Sequence, residues 1–144
     1  MKKVIYLLDT NIVSELTKPR PNTKVIHKLT ELQHLCAISS TTWNELLFGI
    51  KIMSAGKRKD FLFSKLVNDI QAAFHIIPYD DHASWIHADL RAKLRETGKI
   101  KSFQDTQIAS IAIANQMVLV TRNSVDFQPI QEVSSVFYLE NWFE

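Results

Sequence analysis

Val4-Ile5-Tyr6-Leu7-Leu8-Asp9-Thr10-Asn11 is the stretch on which the reading of this chain turns. An apolar run stops abruptly at a carboxylate, a hydroxyl and an amide. A run this apolar predicts a strand buried on both faces, as at the centre of a parallel sheet. The polar residues then fall at its carboxyl end, where open parallel sheets bind their ligands. Asp9 is thus a candidate first piece of an acidic metal site, for which the rest of the chain must supply companions.

Working outward, the same signal recurs. Leu35-Cys36-Ala37-Ile38 predicts a second short strand, ending in Ser39-Ser40-Thr41-Thr42. His75-Ile76-Ile77-Pro78 predicts a third, and Met117-Val118-Leu119-Val120 a fourth that ends in Thr121-Arg122-Asn123. Val136-Phe137-Tyr138-Leu139 predicts a fifth. Helical spacing of apolar residues fills the intervals. A short helix over 12–16 is broken near Pro19 and Pro21, and the next is capped by Asn22 or Thr23. Trp43 to Met53 and Phe61 to Phe74 form a helical hairpin around the turn Ala55-Gly56-Lys57-Arg58-Lys59. Helices over 80–95 and 104–115 follow. Strands alternating with helices predict a parallel sheet covered on both faces, a three-layer α/β/α sandwich.

The 144 residues are enough for one domain over 1–144 with a proper core. With 46% apolar and 22% charged residues the composition is that of a globular protein. Three Gly and four Pro leave no low-complexity segment. The single cysteine, Cys36, excludes an internal disulfide and points to a reduced, cytoplasmic setting. The apolar run after Met1-Lys2-Lys3 is too short for a signal-peptide core, and no stretch approaches the roughly 20 apolar residues of a membrane span.

Three acids occupy matching local positions. Asp9 follows the first strand, Glu45 lies one turn into the helix after the second, and Asp105 opens the Ala-rich helix before the fourth. Gathered at one edge, they would form a hard oxygen site suited to Mg²⁺ or Mn²⁺. Each also has a plainer explanation. Asp9 suits a helix cap, and Thr42-Trp43-Asn44-Glu45 and Ser102-Phe103-Gln104-Asp105 both read as capping boxes. Carboxylates are favoured in any first helical turn. What favours a shared site is the joint pattern, since clustered carboxylates repel unless a cation offsets them. Asn123 reads equally as a member of this ring or as the start of an Asx turn, whereas Asp126 reads as part of the turn anchored by Phe127.

Other chemistries lack their signatures. There is no Gly-x-Ser-x-Gly, P-loop or Gly-x-Gly-x-x-Gly. His82 and His87 are spaced wrongly for one zinc-binding helix face, so the five histidines are expected at surface or rim positions. A haloacid-dehalogenase phosphatase needs a second Asp where Asn11 stands, and a receiver domain needs an acid pair beside Asp9. Net charge is only +2, but Arg91, Lys93, Arg95, Lys99 and Lys101 lead up to Asp105 with only Glu96 opposing them. Such a cationic approach to an acidic pocket suits a phosphodiester backbone, although a solvated helix face accounts for it too.

These residues resemble a known family. Leu7-Leu8-Asp9-Thr10-Asn11-Ile12-Val13-Ser14-Glu15 is similar to the opening motif of PIN-domain proteins of the VapC/FitB toxin type. The segment from Ser39 to Ile50 resembles the second motif, with Glu45 as its acid. Gly98 together with the segment from Asp105 to Ala112 resembles the third, and the segment from Leu119 to Phe127 the fourth. The likeness covers nearly the whole chain. Two features depart from it: Lys99-Ile100-Lys101 lacks the proline common after the glycine, and the fourth acidic position is the neutral Asn123.

The resemblance implies a PIN-like fold with a five-stranded parallel sheet. It implies an Mg²⁺- or Mn²⁺-dependent endoribonuclease, the toxin of a type II toxin–antitoxin pair. Asp9 and Asp105 would be direct metal ligands, and Glu45 would bind a second metal or hold a coordinated water. Asn123, with Thr10, Asn11 and Thr121 in support, would orient that water, Asp126 being the other residue able to complete the ring. Arg91, Arg95, Lys99 and Lys101 would meet RNA, with transfer RNA the target by analogy. The partners implied are a small antitoxin that binds DNA and a second copy of the chain, both using the helices over 43–53 and 61–74. The alternative is a catalytically weak module of the same fold that works by binding RNA or its antitoxin.

Overall fold

The computed structural model describes residues 4–99 and 101–144, so Met1-Lys2-Lys3 and Ile100 of the Lys99-Ile100-Lys101 segment lie outside the described residues. Five strands form one sheet: β1 (Tyr6–Leu8), β2 (Cys36–Ser39), β3 (His75–Ile77), β4 (Val118–Val120) and β5 (Tyr138–Glu140). Their order is β3-β2-β1-β4-β5 and every pairing is parallel. The opening strand is therefore the central one. The chain builds outward from it on one side, then returns to pair β4 with its other edge. Such a reversal opens a crevice at the strands' carboxyl ends.

The helices are α1 (Thr10–Val13), α2 (Thr23–Leu32), α3 (Ser40–Lys51), α4 (Lys57–Lys65), α5 (Asp81–Glu96), α6 (Phe103–Ala114) and α7 (Ser124–Val133). Short 3₁₀ turns follow α1 and α2, and Leu66–Gln71 continues α4 as a π-helical turn. Strand alternation divides the core into two layers. Leu8, Ile38 and Val120 face α1–α4, packing with Ile12, Leu46, Leu66 and Ile70. Leu7, Ala37 and Leu119 face α5–α7, packing with Leu90, Ile108, Ile111 and Phe127. The three-layer α/β/α sandwich is thus observed.

Several boundaries differ from the expected ones. Helix α3 begins at Ser40, because the Ser39 hydroxyl accepts from the Thr42 N–H (3.0 Å). The polar cluster after β2 is thus a first helical turn, and Thr42 is not a cap. The basic run Lys57-Arg58-Lys59 lies inside α4, whose preceding Gly56 adopts φ 155°. Helix α7 was unexpected. Asn123, Asp126 and Pro129 carry turn signals, but Phe127 and Ile130 are buried at helical spacing and outweigh them.

No described helix is long and apolar enough to cross a membrane. Cys36 is buried, and burial pushes its thiol up to about 12. Phe127 is buried against Phe137, with ring centroids 6.1 Å apart. Phe127→Ala should lower unfolding free energy by about 3–5 kcal/mol in denaturant titration, since it leaves a cavity between α7 and the sheet. A loss below about 1 kcal/mol would show that α7 is not held by this ring.

Candidate active site

Asp9 is the first residue beyond the central strand. Its N–H completes the ladder by donating to the Val120 carbonyl (2.9 Å), which fixes its side chain at the crevice. The carboxylate is 7% exposed and its oxygens have separate duties. Oδ1 caps α1, accepting from the Thr10 N–H (2.8 Å). Oδ2 accepts from the Thr121 hydroxyl (2.8 Å) and the Asn11 amide (3.4 Å). The capping explanation of Asp9 is correct, but it occupies only one of the two oxygens.

Thr121 stands at the matching place after β4, in register with Asp9. Its oxygen donates to Asp9 and accepts from the Asn123 N–H (3.1 Å) and the Asn11 amide (3.3 Å). The Asn11 side-chain Oδ1 accepts from the Arg122 N–H (2.9 Å). Asn11 thereby ties the start of α1 to the loop after β4. The Asn123 side chain makes no capping bond at the start of α7, which contradicts the Asx-turn reading. Asp126 is exposed in the first turn of α7.

Glu45 lies in the second turn of α3. Ser39 already serves as the cap, so the capping-box explanation of Glu45 fails. Its carboxyl is half-buried. In the first turn of the same helix Thr42 accepts from the Thr10 hydroxyl of α1 (3.4 Å), and Thr41 donates to Gln107 of α6 (2.8 Å). Asp105 opens α6, and its N–H donates to the Ser102 hydroxyl (3.1 Å).

The three acids lie within one another's electric field. Burial raises the Asp9 carboxyl above the usual range, against the bonds from Thr121, Thr10 and Asn11, and the charge of Asp105 adds to the rise. Burial likewise raises Glu45; Thr10 opposes this, while the charges of Asp9 and Asp105 add to it. Among the described residues, however, no three His, Cys, Asp or Glu side chains stand close enough to enclose an ion as placed. The acids thus form an open rim along the crevice and not a closed cage. The donors are all oxygen, from carboxylates, hydroxyls and amides. That set fits a hard divalent cation such as Mg²⁺ or Mn²⁺.

Two buried polar residues escaped the sequence reading. Glu15 pairs with Lys18 and accepts from the Asn22 N–H (2.8 Å). Burial opposes its charge, but these partners and Arg122 hold its carboxyl below the usual range. His87 is 1% exposed, not at a surface or rim. Its Nδ1 meets the Tyr79 hydroxyl (2.8 Å) and its Nε2 the Thr106 hydroxyl (2.7 Å). Thr106 can donate to the Ser102 and Phe103 carbonyls (3.1 and 3.0 Å), so it accepts from Nε2–H while Nδ1 accepts from Tyr79. Burial and the charge of Arg91 lower the His87 pKa, which keeps the ring neutral. The only available sequence signal was the position of His87, one turn before the buried Leu90.

The basic residues divide. Arg91, Arg95 and Lys101 line one cavity beside α6. Lys99 is drawn away to Glu132 of α7 (2.6 Å).

Comparison with known proteins adds four findings. The PIN domain family matches residues 6–131. VapC ribonuclease Y4jK of Sinorhizobium fredii is 33% identical over 86% of this chain and 91% of its own length. Toxin FitB of Neisseria gonorrhoeae is 32% identical over 85% and 91%. The structure of VapBC2 from Rickettsia felis bound to a DNA fragment from their promoter superimposes with a TM-score of 0.79 at 30% identity, covering 96% of this chain and 99% of that one.

Because the folded Asp9 and Glu45 carboxyls are raised above their unfolded values, the folded chain retains protons the unfolded chain has lost just above the ordinary carboxylate range. Metal-free stability therefore rises as pH falls through that window and is lower above it. Glu45→Gln removes one of the repelling charges. Its metal-free Tm should exceed the parent's at pH 7, with the gap closing as the carboxyls protonate. A lower Tm for the variant at pH 7 would show that the Glu45 charge is held by net favourable contacts.

Proposed function

The chain belongs to the PIN-domain family, in its VapC/FitB branch, and from that premise we propose that it is a divalent-metal-dependent endoribonuclease serving as the toxin of a toxin–antitoxin pair. The observation that carries the chemistry is the set of three carboxylates sharing one field at the crevice beside β1. The names of its relatives, a VapC ribonuclease and a toxin, support RNA cleavage and the toxin role.

Asp9 and Asp105 would hold the cation, with Glu45 on the opposite rim. A divalent ion supplies charge stabilisation to a phosphoryl group under attack and makes hydroxide accessible near neutral pH. Thr121 keeps Asp9 Oδ2 facing the crevice, and Thr10 keeps Oδ1 committed to the cap. Glu45, raised by burial and its neighbours, is suited to accept a proton from an attacking water. Asn123, at the mouth, would orient that water. Arg91, Arg95 and Lys101 would hold the phosphodiester backbone; Lys99 would join them only by releasing Glu132.

The antitoxin partner is supported by the likeness to VapBC2, an assembly bound to DNA of its own promoter. Phe48, Ile52 and Phe61 are 62, 67 and 60% exposed on and beside α3 and α4. Such a surface suits an apolar partner, whether antitoxin or second copy.

Asp9→Asn should abolish Mg²⁺- or Mn²⁺-dependent cleavage of RNA while far-ultraviolet circular dichroism stays unchanged. The parent should lose activity in EDTA and recover it on adding either ion. Retained cleavage by the variant, or cleavage indifferent to EDTA, would overturn the metal-site reading.

A further inference from the structure

Between α5 and the start of α6 lies a cavity of about 600 Å³. Ala92, Leu94 and Phe103 give it apolar surface, and Arg91, Arg95 and Lys101 give it positive charge, with no acid among the described lining residues. Apolar walls beside concentrated positive charge suit a ligand that is itself planar and apolar at one end and anionic at the other. A nucleotide within a strand has that form.

Phe103 is the feature that makes the cavity specific. It is the first residue of α6 and 53% exposed, whereas the helix is buried from Thr106 onward at Ile108, Ala109, Ser110, Ile111 and Ala112. The Arg91 guanidinium lies over its ring, 5.0 Å from the centroid. The His87 imidazole meets the same ring edge to face, 4.7 Å away at 65°. His87 is in turn fixed from both ends, by Tyr79 and by Thr106. The Phe103 ring is thus braced by the protein on one side while presenting half its surface to solvent. Aromatic rings and guanidinium planes are the platforms on which unpaired bases stack.

Position adds a second argument. Successive helical residues turn by about 100°, so Phe103 and Asp105 project from nearly opposite sides of the first turn of α6. The first faces the cavity; the second belongs to the acidic rim. A strand crossing this helix end meets both.

We infer that this cavity is a stacking subsite for one unpaired base of the RNA, which lies against the Phe103–Arg91 pair with its flanking phosphates on Arg95 and Lys101. The inference rests on the ribonuclease reading. A base already paired in a helix cannot enter the stack, so the subsite selects single-stranded or looped segments.

The test measures binding by fluorescence anisotropy in metal-free buffer, where cleavage does not intervene. Three probes are used: a labelled single-stranded RNA, the same strand with abasic positions, and its duplex. Phe103→Ala should weaken the single strand about tenfold or more and leave the abasic strand and the duplex nearly unchanged. Phe103→Trp should restore single-strand binding. Arg95→Ala with Lys101→Ala should weaken single and abasic strands alike and flatten the salt dependence. Equal weakening of base-bearing and abasic strands by Phe103→Ala, or no weakening, would overturn the subsite. Cleavage by the parent chain with Mg²⁺ is followed in parallel. Stack-dependent binding without cleavage would overturn the nuclease reading alone, and cleavage without stack-dependent binding the subsite alone.

Discussion

Across the point where the sheet reverses direction, the Thr121 hydroxyl donates to the Asp9 carboxylate at 2.8 Å. One residue comes from the end of the central strand and the other from its returning neighbour. Parallel register sets them side by side, because Leu8 pairs with Val120. Everything around the crevice is arranged by reference to this contact. Asn11 bonds both residues and reaches the backbone of Arg122. Arg122 is held in turn by Asn141, whose amide donates to its carbonyl (3.2 Å), and by Phe143, beneath its guanidinium at 4.7 Å. The last residues of the chain thus brace the loop that bears on the first strand.

The same crevice is the least comfortable part of the fold. Elsewhere buried charge is compensated, as Glu15 is by Lys18 and a backbone N–H. At the rim the carboxylates are buried or half-buried beside one another without a cationic side chain among their hydrogen-bond partners. Polar bonds hold Asp9 in place without cancelling its charge. Carboxyls raised by burial and by one another are a pattern that clusters at functional sites.

Much of this was legible from sequence because it rests on short-range pattern. Short apolar runs located all five strands, three of them ending in polar clusters, and helical spacing located α2, α5 and α6. Asp9, Glu45 and Asp105 stood out by their matching places relative to strand ends. What was not legible depends on long-range contact. Helix α7 hid behind Pro129 and two turn-prone residues, and only burial of Phe127 and Ile130 reveals why it forms. The cap of α3 was expected at Thr42, but the helix starts three residues earlier and Ser39 caps it. His87 looked like a surface residue because its partners, Tyr79 and Thr106, lie 8 and 19 positions away. Lys99 looked like a free cation because Glu132 lies 33 positions away.

The strand order has a consequence for synthesis. The central strand is the first to leave the ribosome, yet one of its two edges is completed only by β4, at residues 118–120. Until then Asp9 has neither the Val120 carbonyl beside it nor the Thr121 hydroxyl upon it. A nascent chain can pair β1 with β2 and β3 and still possess only half a crevice. Assembly of the acidic rim is thus deferred until Thr121, 112 positions after Asp9, has been made. Because chain growth is slow, at about 5–20 residues per second, the growing polypeptide spends most of its time unable to form the site at all. A partly made chain therefore lacks the contacts that hold Asp9 at the crevice.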